Sequence, residues 1–84
     1  MKEKLIGKII HFYGQISVAI VELSTELKVG DEIHILGGNT DFNEVVESMQ
    51  IEHQNVSRAK KGQTVGLKVK EKVHEDAKVY LAGK

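Results

Sequence analysis

The chain has 84 residues, 12 of them basic and 12 acidic, so its formal net charge is zero. Cysteine is absent, which excludes disulfides and thiolate metal sites. No stretch approaches the roughly 18 to 20 consecutive apolar residues of a membrane-spanning helix. We therefore expect a single domain over residues 1–84 that lies in the cytoplasm and does not bind a membrane.

The first third of the chain predicts a hairpin. β-Forming residues are dense from Leu5 to Tyr13, and Gly7 within this run indicates a bend or bulge. After a break at Gly14 and Gln15, residues 16–23 predict a second strand that is apolar on both of its faces.

The next stretch predicts a strand between two turns. Gly30 and Asp31 form the first turn, and we expect Leu27 and Val29 just before it to point inward. A strand over residues 32–36 follows. The glycine-rich run of residues 37–41 predicts the second turn.

Residues 42–53 fit two structures. Phe42, Val45, Val46 and Met49 recur at the spacing of a helix, but the same segment also alternates as a strand would. The other segments are short strands separated by turns, so we favour strand here.

The last third contains the most regular alternation. Residues 63–70 place Val65, Leu67 and Val69 on one face, and residues 78–82 predict a closing strand. Six to seven short strands in a chain of this length predict an all-β fold, a small closed antiparallel β-barrel without exposed edges.

Charge is distributed unevenly along the chain. Residues 20–54 hold eight acidic residues against one basic residue, whereas residues 55–84 hold eight basic against three acidic. Either the fold keeps a basic face that attracts an anionic partner, or the strands of the two halves interleave and mix their charges.

Catalytic motifs are missing. There is no phosphate-binding G-x-x-x-x-G-K-[ST] loop, no serine sits in a nucleophile-elbow motif, and the four histidines lack the spacing of a metal site. We expect no enzymatic activity, no cofactor and no metal.

The binding hypothesis depends on the basic segment after His53. Basic side chains beside a glycine turn can contact phosphates, and lysines further along would extend this surface. The candidate RNA-binding residues from this reasoning are His53, Arg58, Lys60, Lys61, Lys68 and Lys70.

Several motifs resemble a known domain. They are I-G-K-I at residues 6–9, L-K-V-G-D-E-I at 27–33, the Gly-Gly turn, and A-K-K-G-Q-T-V-G-L at 59–67. Together they resemble the second, β-barrel domain of translational GTPases such as elongation factor Tu and initiation factor two. The stretches S-M-Q-I-E-H and A-K-K-G-Q are most similar to the free-standing translation elongation factor-like proteins of prokaryotes. A similar barrel is appended to collagenase-like peptidases.

The resemblance implies a module without the GTPase domain. Gln50 aligns with a glutamate that lies near the terminal adenosine of tRNA in elongation factor Tu, and His53 aligns with an arginine, so Gln50 joins the candidate residues. The expected function is a non-catalytic barrel in protein biosynthesis that binds tRNA, rRNA or the ribosome. The alternative is a protein-interaction module that docks on a separate enzyme, such as a collagenase-like peptidase, through the acidic and apolar surface of residues 32–47.

Overall fold

The computed structural model describes residues 3–38 and 40–82, and every regular element in these ranges is a β strand. No helix in the described ranges is long and apolar enough to cross a membrane. The strands are β1 (Lys4–Tyr13), β2 (Val18–Leu23), β3 (Leu27–Lys28), β4 (Glu32–Gly37), β5 (Thr40–Val45), β6 (Met49–Ile51), β7 (Gln54–Val56), β8 (Arg58–Ala59), β9 (Thr64–Lys68) and β10 (Lys78–Leu81). The all-β prediction is confirmed.

The strand alternative for residues 42–53 is the correct one, because β5, β6 and the hairpin turn after β6 occupy this segment. The predicted glycine-rich turn lies between β4 and β5, where Gly37 pairs with Thr40. One residue of that turn, Asn39, lies outside the described residues.

Eight strands form one antiparallel sheet in the order β5-β4-β10-β1-β2-β9-β6-β7, and β3 pairs with β8 in a separate small sheet. The prediction of a closed barrel is not confirmed, since within residues 3–38 and 40–82 the large sheet ends at β5 and β7 without pairing between them. Backbone hydrogen bonds from the β3–β4 turn reach towards both ends. The amide of Gly30 donates to the carbonyl of Val46 (2.8 Å), and the amide of Val29 donates to Ser57 (2.9 Å).

The core is formed by aliphatic side chains from alternating strand positions. As predicted, Val65, Leu67 and Val69 are buried, and so is Leu27. Val29 is an exception to the prediction. It directly precedes the turn at Gly30 and is 40% exposed. The largest side chains with almost no exposed surface are Ile6, Ile9, Val21, Leu27, Ile33, Ile35, Met49, Val65, Leu67 and Val79.

Strand β1 has the irregularity that its glycine predicted. The pairing of β1 with β10 shifts register between Leu5 and Gly7. At Gly7 a β carbon would lie 2.6 Å from the carbonyl oxygen of Glu22, so only glycine lets β1 and β2 approach this closely.

Strand pairing mixes the two charged halves of the sequence. Strand β2 pairs with β9, and β4 pairs with β10, so strands of the acidic segment alternate with strands of the basic one. An ion pair of 3.3 Å between Arg58 and Glu26 joins the two segments directly. The interleaved alternative is therefore correct.

Candidate docking groove

Residues that pair across antiparallel strands share a face, and two such rows cross the outer face of the sheet. One row joins Tyr13 on β1 to Val18 on β2 and Lys68 on β9. The next joins Ile20 on β2 to Gly66 on β9 and then to Gln50 on β6. These rows place apolar side chains of β2 on the surface opposite the core.

A groove of about 630 Å³ lies over these rows, and we call it the hairpin groove. Tyr13 and Ile16 are its most exposed apolar residues, at 49% and 59%. Gly66 lies between Val18 and Ile20 and leaves the groove open, because it has no side chain. The residues that line the groove are Tyr13, Ile16, Val18, Ile20, Gln50, Glu52, His53, Thr64, Val65 and Gly66.

One wall of the groove is the β6–β7 hairpin. Ile51 pairs with Gln54, so the turn consists of Glu52 and His53 alone. Both have positive φ angles, 52° and 67°, which is the backbone of a type I′ turn. Gly, Asn and Asp are preferred in such turns, so Glu and His are strained here. The turn holds the exposed imidazole of His53 at the rim of the groove.

The basic segment forms a second tight turn. The amide of Gln63 donates to the carbonyl of Lys60 (3.1 Å), and Gly62 adopts a φ of 88° that glycine tolerates. The side-chain oxygen of Gln63 also accepts a hydrogen bond from the Lys60 amide (2.7 Å). Because the amide of Gly62 donates to Leu23 (2.9 Å), the turn is attached to the end of β2.

The predicted binding residues do not converge on one surface. Gln50 and His53 share the hairpin groove, whereas Lys61 lines a different cavity. The guanidinium of Arg58 is engaged by Glu26. Lys60 is exposed in its turn, Lys68 is exposed at the end of β9, and the Lys70 amide donates to the carboxylate of Glu44 (3.0 Å).

Among the described residues two titratable groups have shifted pKa values, and neither lines the groove. Hydrogen bonds that its ring N–H groups donate to Glu3 and Asp41 raise the pKa of His34 above its usual value. Desolvation by burial raises the pKa of Glu44, although the hydrogen bond from Lys70 opposes this shift. His34 contacts Glu3 and Asp41, and Glu44 contacts the Lys70 amide, so both groups belong to polar contacts that join β4 and β5 to each other or to other segments.

The sequence of this chain is similar to a segment of two proteins named as a protease and a collagenase. No protein-family model matches the chain. It is 49% identical over 77 residues to an uncharacterized protease of Methanocaldococcus jannaschii, covering 90% of this chain and 19% of that protein. It is 42% identical over 77 residues to a collagenase of Porphyromonas gingivalis, covering 89% of this chain and 21% of the collagenase. The chain thus spans about a fifth of the length of these curated relatives.

Solved structures show the same fold. The C-terminal domain of a Geobacillus thermoleovorans protein assigned to the U32 peptidases superposes with a TM-score of 0.89 at 20% identity, covering 95% of this chain and 93% of that domain. Its selenomethionine variant gives a TM-score of 0.87 at 21% identity, with 92% and 98% covered. At this identity the likeness establishes the fold alone.

These findings correct the assignment made from motifs. The relatives are a protease and a collagenase, so the identification as a translation elongation factor-like protein is wrong. The main functional prediction, a module of protein biosynthesis that binds RNA or the ribosome, is wrong with it. The comparisons favour the alternative, in which the chain docks on a collagenase-like peptidase.

The motifs misled because they encode local structure. In the L-K-V-G-D stretch, Leu27 is buried, Gly30 turns the chain with a φ of 100°, and a carboxylate oxygen of Asp31 accepts the amide of Lys28 (3.0 Å). Any protein with this fold can use the same turn, whatever it binds.

The groove residues Ile16, Val18 and Ile20 were not predicted as a binding surface. The sequence does contain an indication of it, because residues 16–23 are apolar at both even and odd positions. A strand that buries only one face in the core leaves the second apolar set on the surface.

Proposed function

We propose that this chain is a non-catalytic protein-interaction module that docks on a collagenase-like peptidase. The observation that carries the proposal is the identity of 42% to 49% over 77 residues with proteins of which those residues form only about a fifth. In such relatives, a small β domain has the remaining four-fifths of the chain as its nearest partner. Contacts like those between that domain and the rest of its own chain would let this separate chain bind a peptidase-like protein.

The composition of the groove supports a binding role without chemistry. Its ionisable side chains are Tyr13, Glu52 and His53, and the last two are consecutive residues of one strained turn. Within residues 3–38 and 40–82, neither Glu52 nor His53 forms an ion pair. In the described part of the chain, the hydroxyls of Tyr13 and Thr64 are not hydrogen-bonded to either group, so the groove holds no nucleophile and base in contact, the arrangement that covalent catalysis uses.

The hairpin groove is the docking surface that we propose. Tyr13 and Ile16 expose about half of their surface, and Val18 and Ile20 continue the apolar patch between them and Gly66. Burial of an exposed aliphatic side chain contributes about 1.5 to 3 kcal/mol. Tyrosine is also enriched at the centres of protein interfaces because it combines apolar area with a hydroxyl group.

The surface of residues 32–47 supports docking less well. Its exposed apolar residues are Leu36 and Val45, which occupy different rows of the β4–β5 hairpin. The polar pair His34 and Asn43 lies between those rows. Four strand positions separate the two rows, about 13 Å, so the apolar surface there is interrupted.

We further propose that backbone bonds from the β3–β4 turn close the sheet into a barrel. The bonds from Gly30 to Val46 and from Val29 to Ser57 support this, since they link the turn to segments at both ends of the sheet. Slow hydrogen exchange at these two amides would support closure, and exchange at the rate of an open loop would contradict it. A cytoplasmic location is proposed because the sequence contains no cysteine.

Binding to a truncated relative tests the docking proposal. The Methanocaldococcus jannaschii protease without the 77 residues that match this chain would be mixed with the chain, and binding measured by calorimetry and size-exclusion chromatography. We expect a 1:1 complex. The intact protease should bind much more weakly, because its own copy of the domain occupies the site. No complex with a truncated protease that circular dichroism shows to be folded would overturn the proposal.

Two matched variants test the surface. Ile16→Glu should weaken the complex by about tenfold or more, because it places a charge in the apolar patch. Leu36→Glu introduces the same charge on the β4–β5 hairpin, outside the groove, and it should leave the affinity unchanged. The reverse result would assign docking to residues 32–47.

A chimera covers the case in which the truncated protease does not fold. In it, this chain replaces the matching segment of the intact protease. We expect one cooperative unfolding transition, and we expect Ile16→Glu to lower its Tm more than Leu36→Glu does. Independent melting of the inserted domain, with no sensitivity to Ile16→Glu, would contradict docking through the groove.

A further inference from the structure

A second cavity, of about 410 Å³, lies where β1 and β2 meet the turn that precedes β9. Leu5, Gly7 and Leu23 provide its apolar lining, and Leu5 is 46% exposed. We call it the lysine-rimmed cavity, because Lys8, Lys61 and Lys78 also line it. It has no lining residue in common with the hairpin groove.

The lysines are placed at a cost to the fold. Lys8 on β1 is directly opposite Lys78 on β10 and, on its other side, directly opposite Glu22 on β2. Like charges in opposed positions destabilise a sheet, and Glu22 offsets only one of the three lysine charges around the cavity. Lys61 is brought to the same cavity by the turn attached to Leu23. None of the three ammonium groups forms an ion pair with a carboxylate in the described part of the chain. An anion in the cavity would relieve this repulsion.

Two further polar groups line the cavity. Glu22 contributes a carboxylate, which accepts hydrogen bonds, and Ser24 contributes a hydroxyl, which can donate or accept one. These groups match the N–H and C=O of a peptide backbone. A fatty acid has no amide to use them, and a nucleobase would find no aromatic side chain to stack on.

We propose that the lysine-rimmed cavity binds the free C-terminus of a peptide whose last residue is apolar. The apolar side chain lies against Leu5 and Leu23, and the terminal carboxylate lies among Lys8, Lys61 and Lys78. The last amide groups reach Glu22 and Ser24. An apolar C-terminal residue matches both the apolar lining and the basic rim of this cavity, because its carboxylate and its apolar side chain are only a few bonds apart.

Titration with a short peptide tests this proposal. The probe is N-acetyl-glycyl-glycyl-leucine, in its free-acid and C-terminal amide forms, added to the full chain while amide NMR shifts and calorimetric heats are followed. We expect shifts centred on Leu5, Lys8 and Ser24, and at least about tenfold weaker binding of the amide, as loss of a charge-assisted contact predicts. Equal binding of the acid and the amide would overturn the proposal.

Variants separate the cavity from the rest of the basic surface. Lys61→Gln and Lys78→Gln should each weaken binding several-fold, whereas Lys60→Gln, in the same turn but outside the cavity, should not. Lys78→Gln should leave Tm unchanged or raise it, so that lost binding does not reflect unfolding. Equal effects of Lys60→Gln and Lys61→Gln would contradict the assignment.

Comparison with other anionic ligands tests whether the cavity prefers a peptide C-terminus. Octanoate, inorganic phosphate and an RNA oligonucleotide should each bind more weakly than the free-acid peptide. If any of them binds as tightly, the cavity is not a peptide C-terminus site. Ile16→Glu, which disrupts the hairpin groove, should retain peptide binding, so the outcome is independent of the proposed docking function.

Discussion

The imidazole Nε2 of His34 lies 2.5 Å from a carboxylate oxygen of Asp41 on the adjacent strand of the β4–β5 hairpin. Its other ring nitrogen, Nδ1, lies 2.7 Å from a carboxylate oxygen of Glu3, which precedes β1. Two carboxylates on one imidazole stabilise its doubly protonated form. His34 therefore attaches the β4–β5 hairpin to the start of β1, across β10.

This arrangement predicts that the stability of the fold depends on pH. The hydrogen bonds that His34 donates to Glu3 and Asp41 raise its pKa in the folded state above the ordinary value of 6.5. The stabilisation is therefore complete below about pH 6.5 and is lost as the pH rises through the folded-state pKa. In the natural chain, the free energy of unfolding in urea should fall by up to about 1 kcal/mol over this pH range, as expected for partly exposed ion pairs. His34→Gln should lose this pH dependence. His74→Gln is the control, and an unchanged pH dependence in His34→Gln would contradict the assignment.

The close approach of β1 and β2 makes Gly7 sensitive to substitution. Gly7→Ala should destabilise the fold by about 2 kcal/mol, because the added β carbon would meet the Glu22 carbonyl and the backbone must move. Gly14→Ala is the matched control. Its nearest contact would be a ring carbon of Phe12 at 3.7 Å, and its cost should be within about 0.5 kcal/mol. Thermal unfolding of both variants measures the difference, and equal losses would show that the strands separate at no cost.

The strained turn at the groove rim predicts a stabilising substitution. His53 has a φ of 67°, which glycine adopts without a steric penalty. His53→Gly should raise the free energy of unfolding by about 1 kcal/mol. Gln54→Gly, one residue later in β7, should instead lower it by about 0.5 to 1 kcal/mol. A loss of stability in His53→Gly would show that the imidazole makes a contact that outweighs the strain.

Glu44 predicts a second pH effect, at acidic pH. Burial raises its folded-state pKa above the ordinary 4.5, so the ionised carboxylate weakens the fold as the pH rises through that pKa. Glu44→Gln keeps an oxygen that can accept the Lys70 amide but carries no charge. It should be more stable than the natural chain near neutral pH, and the difference should shrink on acidification. Urea unfolding near neutral pH and at acidic pH tests this, with the exposed Glu52→Gln as control. A difference that grows on acidification would contradict the desolvation argument.

The local pattern of apolar residues and glycines was sufficient to predict the strands and most of the turns. Alternation predicted which side chains of β9 are buried, and glycine predicted the β3–β4 turn and the bulge near Gly7. These features depend on neighbours within a few residues, so the linear order contains the information. Residues 42–53 could not be decided in this way, because a segment that fits both periods is resolved only by its pairing partners. The same holds for Val29, whose exposure depends on how the chain continues after Gly30.

The order of amino acids by itself determined the all-β class, the inward-facing residues and the sites of tight turns, because these follow from short-range sterics and a two-residue repeat. Strand neighbours and register come from contacts between distant segments, and only the tertiary structure decided them. That pairing placed Lys8 opposite Lys78, brought Tyr13 and Ile16 to the groove that contains Gln50 and His53, and placed Arg58 against Glu26. A surface consists of such long-range neighbours, so both proposed binding sites appeared only once the strands were paired.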